Sequence, residues 1–113
     1  MCGIFAAMTT NGLAPERCAA ALKALYHRGP DGSNCWTSNN GRWVLGHTRL
    51  SIIGLNNGVQ PMTSPDGAIH SVVNGEFYGY KAIREQLQKN GYQFNTDSDS
   101  EIDLHLYHQR GTQ

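Results

Sequence analysis

The hydrophobic positions of this chain fall into short groups that are separated by turn-forming residues. Residues 2–8 are apolar and end at a polar Asn-Gly turn, a pattern that predicts a buried β-strand. From Pro15 to about Tyr26 the apolar residues return every three or four positions, which predicts a helix that begins at the proline. Residues 34–37 and 43–48 are β-like and flank an Asn-Asn-Gly turn, which predicts a hairpin.

The second half of the chain continues with a loop, a strand and a helix. The proline- and glycine-containing residues 61–67 predict the loop, and the apolar residues 68–73 predict the strand. Residues 80–87 have helical spacing, and Gly91 is a suitable stop beyond the end of that helix.

A last helix is predicted near the end of the chain. Ser98 and Glu101 stand three positions apart, which is the register of a capping box. The spacing of Ile102, Leu106 and Tyr107 predicts that these side chains face the core. Short strands with helices both early and late indicate an α+β fold that is built on antiparallel strands.

Composition narrows the class of protein without naming a function. The chain has 113 residues, which is one domain or part of one, and nine basic residues balance nine acidic ones. This balance gives no support for nucleic-acid or membrane partners. Because no apolar run approaches the roughly 20 residues of a membrane helix and no signal peptide is evident, we expect a soluble, cytoplasmic protein.

The cysteine and histidine patterns argue against a metal site or a disulfide framework. Cys2, Cys18 and Cys35 are odd in number and lack a C-x-x-C spacing, and Cys18 lies on the apolar stripe of the first helix. Glu101, His105 and His108 have a spacing that imitates a metal-binding helix face, but such spacings arise by chance on exposed helices. We expect no metal site.

Cys2 is the first candidate for chemistry. Removal of Met1 would leave Cys2 with a free α-amine beside its own thiol. An amine that titrates near pH 7.7–8.0 can act as the base for its own side chain, as in N-terminal nucleophiles. A small buried residue at the start of a strand is the alternative interpretation of this cysteine.

Three further features place polar groups where the fold alone does not need them. Arg49 precedes an apolar segment. Its planar guanidinium could bind a carboxylate in a bidentate manner, or it could be a surface charge. Asn74 and Gly75 follow a predicted strand and could supply oxyanion donors, or form a plain turn. Asp99 stands at the start of the last helix and could bind a ligand, or serve as a cap.

Taken together, these residues belong to blocks that occur in one order along nearly the whole chain. The blocks are Met1–Phe5, His27–Gly32, Gly46–Ile52, Gln60–Met62, Val73–Tyr78 and Ser98–Glu101. In this combination the chain closely resembles the glutaminase domain of class II glutamine amidotransferases, and among them the glutamine-hydrolysing asparagine synthetases.

The resemblance implies a fold and a set of catalytic roles. The expected fold is the N-terminal-nucleophile hydrolase architecture, a four-layer sandwich of antiparallel sheets between helices. Cys2 would attack the side-chain amide of glutamine and form a thioester, with its α-amine moving the proton. Asn74 and the Gly75 N–H would hold the oxyanion.

The same resemblance implies the residues that bind the substrate, L-glutamine. Arg49 would pair with the α-carboxylate, and Glu76 and Asp99 would hold the α-ammonium. Asn74 and Gly75 would also contact the substrate. The backbone of Leu50, Ile52 and Ile53 would line the pocket.

The resemblance also sets expectations about the rest of the protein. The family domain continues beyond this length, so residues 1–113 would be the N-terminal portion of a glutaminase domain, truncated at its C-terminal side. The ammonia would serve a synthetase domain or subunit that makes asparagine from aspartate; ATP and Mg²⁺ belong to that absent domain, and this segment needs no cofactor. Unpaired sheet edges would favour association, such as a homo-oligomer, or aggregation, unless a partner covers them. The alternative is a non-catalytic glutamine-binding or partner-assembly module.

Overall fold

A computed structural model describes residues 1–50 and 58–112 of the chain. Its strands are β1 (Gly3–Met8), β2 (Gly32–Thr37), β3 (Trp43–Arg49), β4 (Met62–Thr63) and β5 (His70–Ser71). Its helices are α1 (Pro15–Ala24), α2 (Tyr80–Lys89) and α3 (Ile102–Arg110), with short 3₁₀ turns at Tyr26–Arg28 and Asp99–Glu101. No helix in these two ranges is both long and apolar enough to cross a membrane.

The first half of the chain forms a three-stranded antiparallel sheet with the strand order β1-β3-β2. The predicted hairpin is confirmed as β2 and β3, with Ser38 and Trp43 hydrogen-bonded across its turn. The prediction that β1 is a buried strand is wrong for one of its faces, because Ile4 and Met8 are 43% and 67% exposed. Because side chains alternate between the two faces of a strand, the face of β1 that carries Ile4 and Met8 is exposed to solvent.

Helix α1 covers the opposite face of the sheet. Cys18, the buried residue of this helix, confirms the predicted core position. Beyond the helix end, the Leu25 carbonyl accepts a hydrogen bond of 3.1 Å from the Thr48 hydroxyl on β3. Only glycine fits at position 3, because a Cβ there would lie 2.6 Å from the Thr48 Oγ1 and 3.1 Å from the Leu25 Cβ. This tight contact fixes the chain directly after Cys2.

The second half contains a small hairpin and two packed helices. The strand predicted at residues 68–73 is shorter than expected, because only its β5 residues pair in a sheet. Their partner strand is β4, which lies in the segment predicted to be a loop. Helices α2 and α3 confirm the two predicted helical segments and pack against each other. The prediction that Tyr107 faces the core is wrong: its side chain is 51% exposed, whereas Leu104 and His105 are buried.

The described residues thus confirm an α+β fold with antiparallel pairing. The four-layer arrangement that the resemblance implies stays a prediction, as does the assignment of residues 1–113 to the N-terminal portion of a domain.

Candidate active site

One cavity of about 320 Å³ brings together the predicted site residues that the structure describes. Those lining it are Cys2, Arg49, Leu50, Asn74, Gly75, Glu76 and Asp99. Ile52 and Ile53 lie outside the described residues. Residues that are far apart in sequence therefore share one solvent-accessible space, although the roles assigned to them stay predictions.

Cys2 is held at the cavity by the backbone of Leu50. The Leu50 N–H donates to the Cys2 Sγ at 3.3 Å, and the thiol lies 3.7 Å from the Leu50 carbonyl oxygen. The register of β1 on β3 explains this contact: Gly3 pairs with Thr48, so Cys2 lies beside the end of β3, at Arg49 and the following Leu50. The sulfur thus has a fixed position and an N–H dipole directed at it.

Arg49 is the last residue of β3 and is braced by the turn that follows the first helix. The Asp31 N–H donates to the Arg49 carbonyl at 2.9 Å, and Pro30 forms a parallel bridge with Arg49. Gly29 is required in this turn, because a Cβ there would lie 2.5 Å from backbone atoms of Arg49 and Thr48. The Arg-Gly-Pro-Asp-Gly block therefore acts as a support for the arginine backbone.

Asn74, Gly75 and Glu76 form an irregular segment that follows the short strand β5. Asn74 is half-buried, whereas Gly75 and Glu76 are exposed. A Cβ added at Gly75 would meet no atom of the described residues within 4 Å. The fold itself therefore does not require a glycine at this position, in contrast to Gly29.

Asp99 is buried, and its carboxylate does not cap the helix. Its Oδ2 accepts a hydrogen bond of 2.8 Å from the Phe77 backbone N–H, 22 positions away in the sequence. The capping function falls to Ser98, whose side chain accepts from the Ser100 N–H at 3.3 Å. The alternative that Asp99 is a simple cap is therefore wrong.

Glu101 does not close the predicted capping box with Ser98. Its carboxylate accepts hydrogen bonds of 2.7–2.8 Å from the Asn95 N–H, the Thr96 N–H and the Thr96 hydroxyl, and it lies 3.3 Å from the His105 Nε2. Burial alone raises the pKa of Glu101, but the hydrogen bonds from Thr96, Asn95 and His105 outweigh it, so this pKa lies below its ordinary value. Glu101 thus ties down the loop that leads into Asp99.

Glu101, His105 and His108, whose spacing imitates a metal-binding helix face, have separate partners among the described residues. His105 is buried against Glu101 and the Phe94 ring, whereas the His108 Nδ1 lies 3.1 Å from the Tyr92 hydroxyl. Within residues 1–50 and 58–112, no group of three or more potential ligands could hold a metal ion.

A larger groove of about 600 Å³ lies elsewhere, between β5 and α3, and contains none of the predicted site residues.

The cavity also has lining residues that the sequence analysis did not select. Among them are His47, Gln60, Tyr78 and Ser100. His47 and Gln60 are 1% and 6% exposed, so both are polar side chains in a buried setting. Both residues belong to the sequence blocks around Arg49 and Pro61. Within those blocks, no spacing or chemical pattern marks either residue as functional.

Comparison with known proteins identifies the family. The sequence profile of the glutamine amidotransferase domain matches residues 1–113, the whole of the chain. The chain belongs to this family. Its cavity, with Cys2 directly before β1, is therefore found in a glutamine amidotransferase domain.

Among its curated relatives are glutamine-hydrolysing asparagine synthetases. The chain is 41% identical to a probable enzyme of this name from Dictyostelium discoideum and 39% identical to asparagine synthetase B from Escherichia coli, each over 98% of this chain and 20% of the relative. It is also 41% identical to amidase chry2 from Gibberella zeae, over 98% of this chain and 18% of that protein. The chain thus spans about a fifth of the length of the curated relatives it matches.

Proposed function

We propose that this glutamine amidotransferase domain hydrolyses the side-chain amide of L-glutamine through Cys2. The observation that carries the proposal is the cavity in which the Cys2 Sγ, held by the Leu50 N–H at 3.3 Å, shares one space with a cation, two acids and amide donors. The names of the relatives support glutamine as the substrate.

In the proposed reaction, Met1 is first removed, which exposes the α-amine of Cys2. This amine takes the thiol proton as the sulfur attacks the side-chain carbonyl carbon of glutamine. A C–S bond forms, the C–N bond of the tetrahedral intermediate breaks, and the ammonium of Cys2 returns the proton to the departing ammonia. Water then adds to the thioester, releasing glutamate and the free thiol.

The other residues divide between transition-state stabilisation and substrate binding. The Asn74 amide and the Gly75 N–H would donate to the oxyanion that forms on the attacked carbonyl. Arg49 would pair with the α-carboxylate of glutamine, since its planar guanidinium matches that group in a bidentate manner. Glu76 and Asp99 would accept hydrogen bonds from the α-ammonium.

The Leu50 backbone would line the same pocket, and the same role is predicted for Ile52 and Ile53.

We propose that the ammonia serves an amide-forming synthetase partner, with aspartate converted to asparagine. Two relatives with asparagine synthetase in their names support this choice of acceptor. ATP and Mg²⁺ would act in that partner and not in these residues.

The first experiment measures the intact mass of the protein before and after exposure to a diazoketone analogue of glutamine. The untreated mass reports whether Met1 is absent. We expect one covalent adduct that excess glutamine prevents, together with release of glutamate and ammonia from glutamine itself. Cys2→Ala should abolish both adduct and turnover.

Cys35→Ala is the matched control, because Cys35 is also a free cysteine but is exposed and lies outside the cavity. It should retain the adduct and the turnover. Equal glutamine hydrolysis by the parent and Cys2→Ala would refute the mechanism. Glutamine binding without glutamate release would favour the non-catalytic module instead.

A further inference from the structure

The backbone of Val73 lies directly before the Asn74–Gly75 segment and outside any strand. Strand β5 ends at Ser71, and within residues 1–50 and 58–112 Val73 pairs with no strand. Its two backbone groups are bound instead by two side chains. The Val73 N–H donates to the Gln60 Oε1 at 2.6 Å, and the His47 Nε2 lies 3.3 Å from the Val73 carbonyl oxygen.

The chemistry of the carbonyl decides which atom of His47 carries the hydrogen. A carbonyl oxygen only accepts, so the Nε2 of His47 must be the protonated nitrogen of the ring. Burial lowers the pKa of His47 below its ordinary value, against the opposing effect of the Val73 bond, and the charge of Arg49 adds to the lowering. The ring is therefore a neutral donor at neutral pH.

The two side chains connect Val73 to different parts of the molecule. His47 is on β3, where it pairs with Ile4 of β1, two positions after Cys2. Gln60 comes from the segment before β4. Since the His47 and Gln60 side chains are almost completely buried, their hydrogen bonds are stronger than the same bonds in water. His47 thus links the sheet next to Cys2 to the segment that carries Asn74 and Gly75, and Gln60 links that segment to the residues before β4.

We infer that His47 and Gln60 are positioning residues that clamp the Val73 peptide and thereby hold the Asn74 and Gly75 donors at a fixed distance from the Cys2 sulfur. This inference rests on the proposed function. Oxyanion donors act most strongly in the transition state, so their displacement lowers kcat and leaves the KM for glutamine largely unchanged. A misplacement of about 1 Å in such a site costs about 10²-fold in rate.

The test compares variants that remove each contact with variants that keep it. Gln60→Leu removes the acceptor, whereas Gln60→Glu retains an oxygen in the same place. His47→Leu removes the donor, whereas His47→Gln retains an N–H at similar reach. Ser64→Ala is the matched control, because Ser64 is equally buried and its hydroxyl also accepts a backbone N–H, that of Ile69, outside the cavity.

Two measurements are made on the full chain: steady-state glutamine hydrolysis, and hydrogen exchange of the Val73 amide followed by mass spectrometry. We expect Gln60→Leu and His47→Leu to lower kcat by about 10²-fold with little change in KM. Gln60→Leu should also speed exchange at Val73. Gln60→Glu and His47→Gln should recover most of kcat, and Ser64→Ala should retain kcat while speeding exchange only at Ile69.

The outcomes separate this inference from the proposed function. Unchanged Val73 exchange in Gln60→Leu overturns the clamp, even in an active protein. Faster exchange with an unchanged kcat, or a change in KM alone, overturns the positioning role. If the parent itself does not hydrolyse glutamine, the proposed function fails and the catalytic role of the clamp fails with it; the exchange data then identify a contact that only supports the fold.

Discussion

The Asp99 carboxylate accepts a hydrogen bond of 2.8 Å from the Phe77 backbone N–H. This contact joins the 3₁₀ turn before α3 to the segment that contains Asn74, Gly75 and Glu76. A carboxylate has about four lone-pair sites, of which the Phe77 N–H uses one, so the same group can also receive an ammonium. Asp99 therefore holds the Phe77 backbone in place and also supplies a negative charge to the cavity.

We expect Asp99→Asn to raise the KM for glutamine about 10–100-fold, since a hydrogen bond to a charged group contributes about 1.5–3 kcal/mol. An amide oxygen can still accept from Phe77, so the loop should keep its position and kcat should change less. Steady-state kinetics check this expectation. Glu16→Gln, at an exposed acid on α1 outside the cavity, is the control and should leave KM unchanged. An unchanged KM in Asp99→Asn would remove Asp99 from the substrate site.

Gly29 and Gly75 provide a paired test of fold against chemistry. Gly29→Ala should lower the free energy of unfolding by about 1–3 kcal/mol or more, because its Cβ would lie 2.5 Å from the backbone of β3. The Cβ of Gly75→Ala would meet no atom within 4 Å in the part of the chain that the structure describes, so this substitution should change stability by no more than about 0.5 kcal/mol.

Despite its normal stability, Gly75→Ala should lose about 10²-fold in kcat/KM, because a methyl group at a donor position displaces the reacting carbonyl. Thermal unfolding and glutaminase kinetics on the same samples give both numbers. Full activity in Gly75→Ala would argue against an oxyanion role for this residue.

Glu101 should stabilise the fold in a pH-dependent manner. Since its pKa is lower in the folded protein than in the unfolded chain, its contribution is present above the ordinary glutamate pKa of about 4.3 and is lost as the pH falls through the folded pKa. Glu101→Gln should cost about 1–3 kcal/mol at pH 7.

The difference in Tm between the parent and Glu101→Gln should therefore shrink below about pH 4. Glu85→Gln, on the exposed side of α2, is the control and should show little difference at any pH. A Tm difference for Glu101→Gln that stays constant down to pH 3 would contradict the assigned pKa direction.

Asp103 should behave in the opposite sense. Burial raises the pKa of Asp103, and the hydrogen bond from Ser71, at 3.3 Å, and that from the Leu104 N–H, at 2.9 Å, offset the effect only in part. The folded state thus favours the neutral acid, so ionisation lowers stability as the pH rises through the folded pKa.

Asp103→Asn supplies a permanently neutral side chain that can still accept both hydrogen bonds. We expect this variant to have a higher Tm than the parent at pH 7, with the advantage disappearing as the pH falls below about 4. Thermal unfolding at several pH values checks it, with exposed Glu16→Gln as the reference. A lower stability of Asp103→Asn at pH 7 would show that the charge itself is needed.

Local patterns predicted the regular elements that depend on neighbouring residues. The period of Cys18 and its apolar neighbours predicted α1, and the Asn-Asn-Gly turn predicted the β2–β3 hairpin. Where packing between distant segments decides, the patterns failed: β5 is shorter than predicted, and Tyr107 is exposed although its spacing suits a core position. Exposure depends on what covers a face, which no local period records.

For the candidate site, too, some features follow from local sequence and others only from tertiary structure. The amino-acid sequence by itself determined the reactive groups: a thiol at position 2, a guanidinium at Arg49, amide donors at Asn74 and Gly75, and an acid at Asp99. Only the tertiary structure decided that the Leu50 N–H holds the Cys2 sulfur, and that His47 and Gln60 bind the Val73 peptide. The physical reason is that side-chain chemistry is a property of each residue, whereas hydrogen bonds across 13 to 48 positions exist only after the strands have set their register.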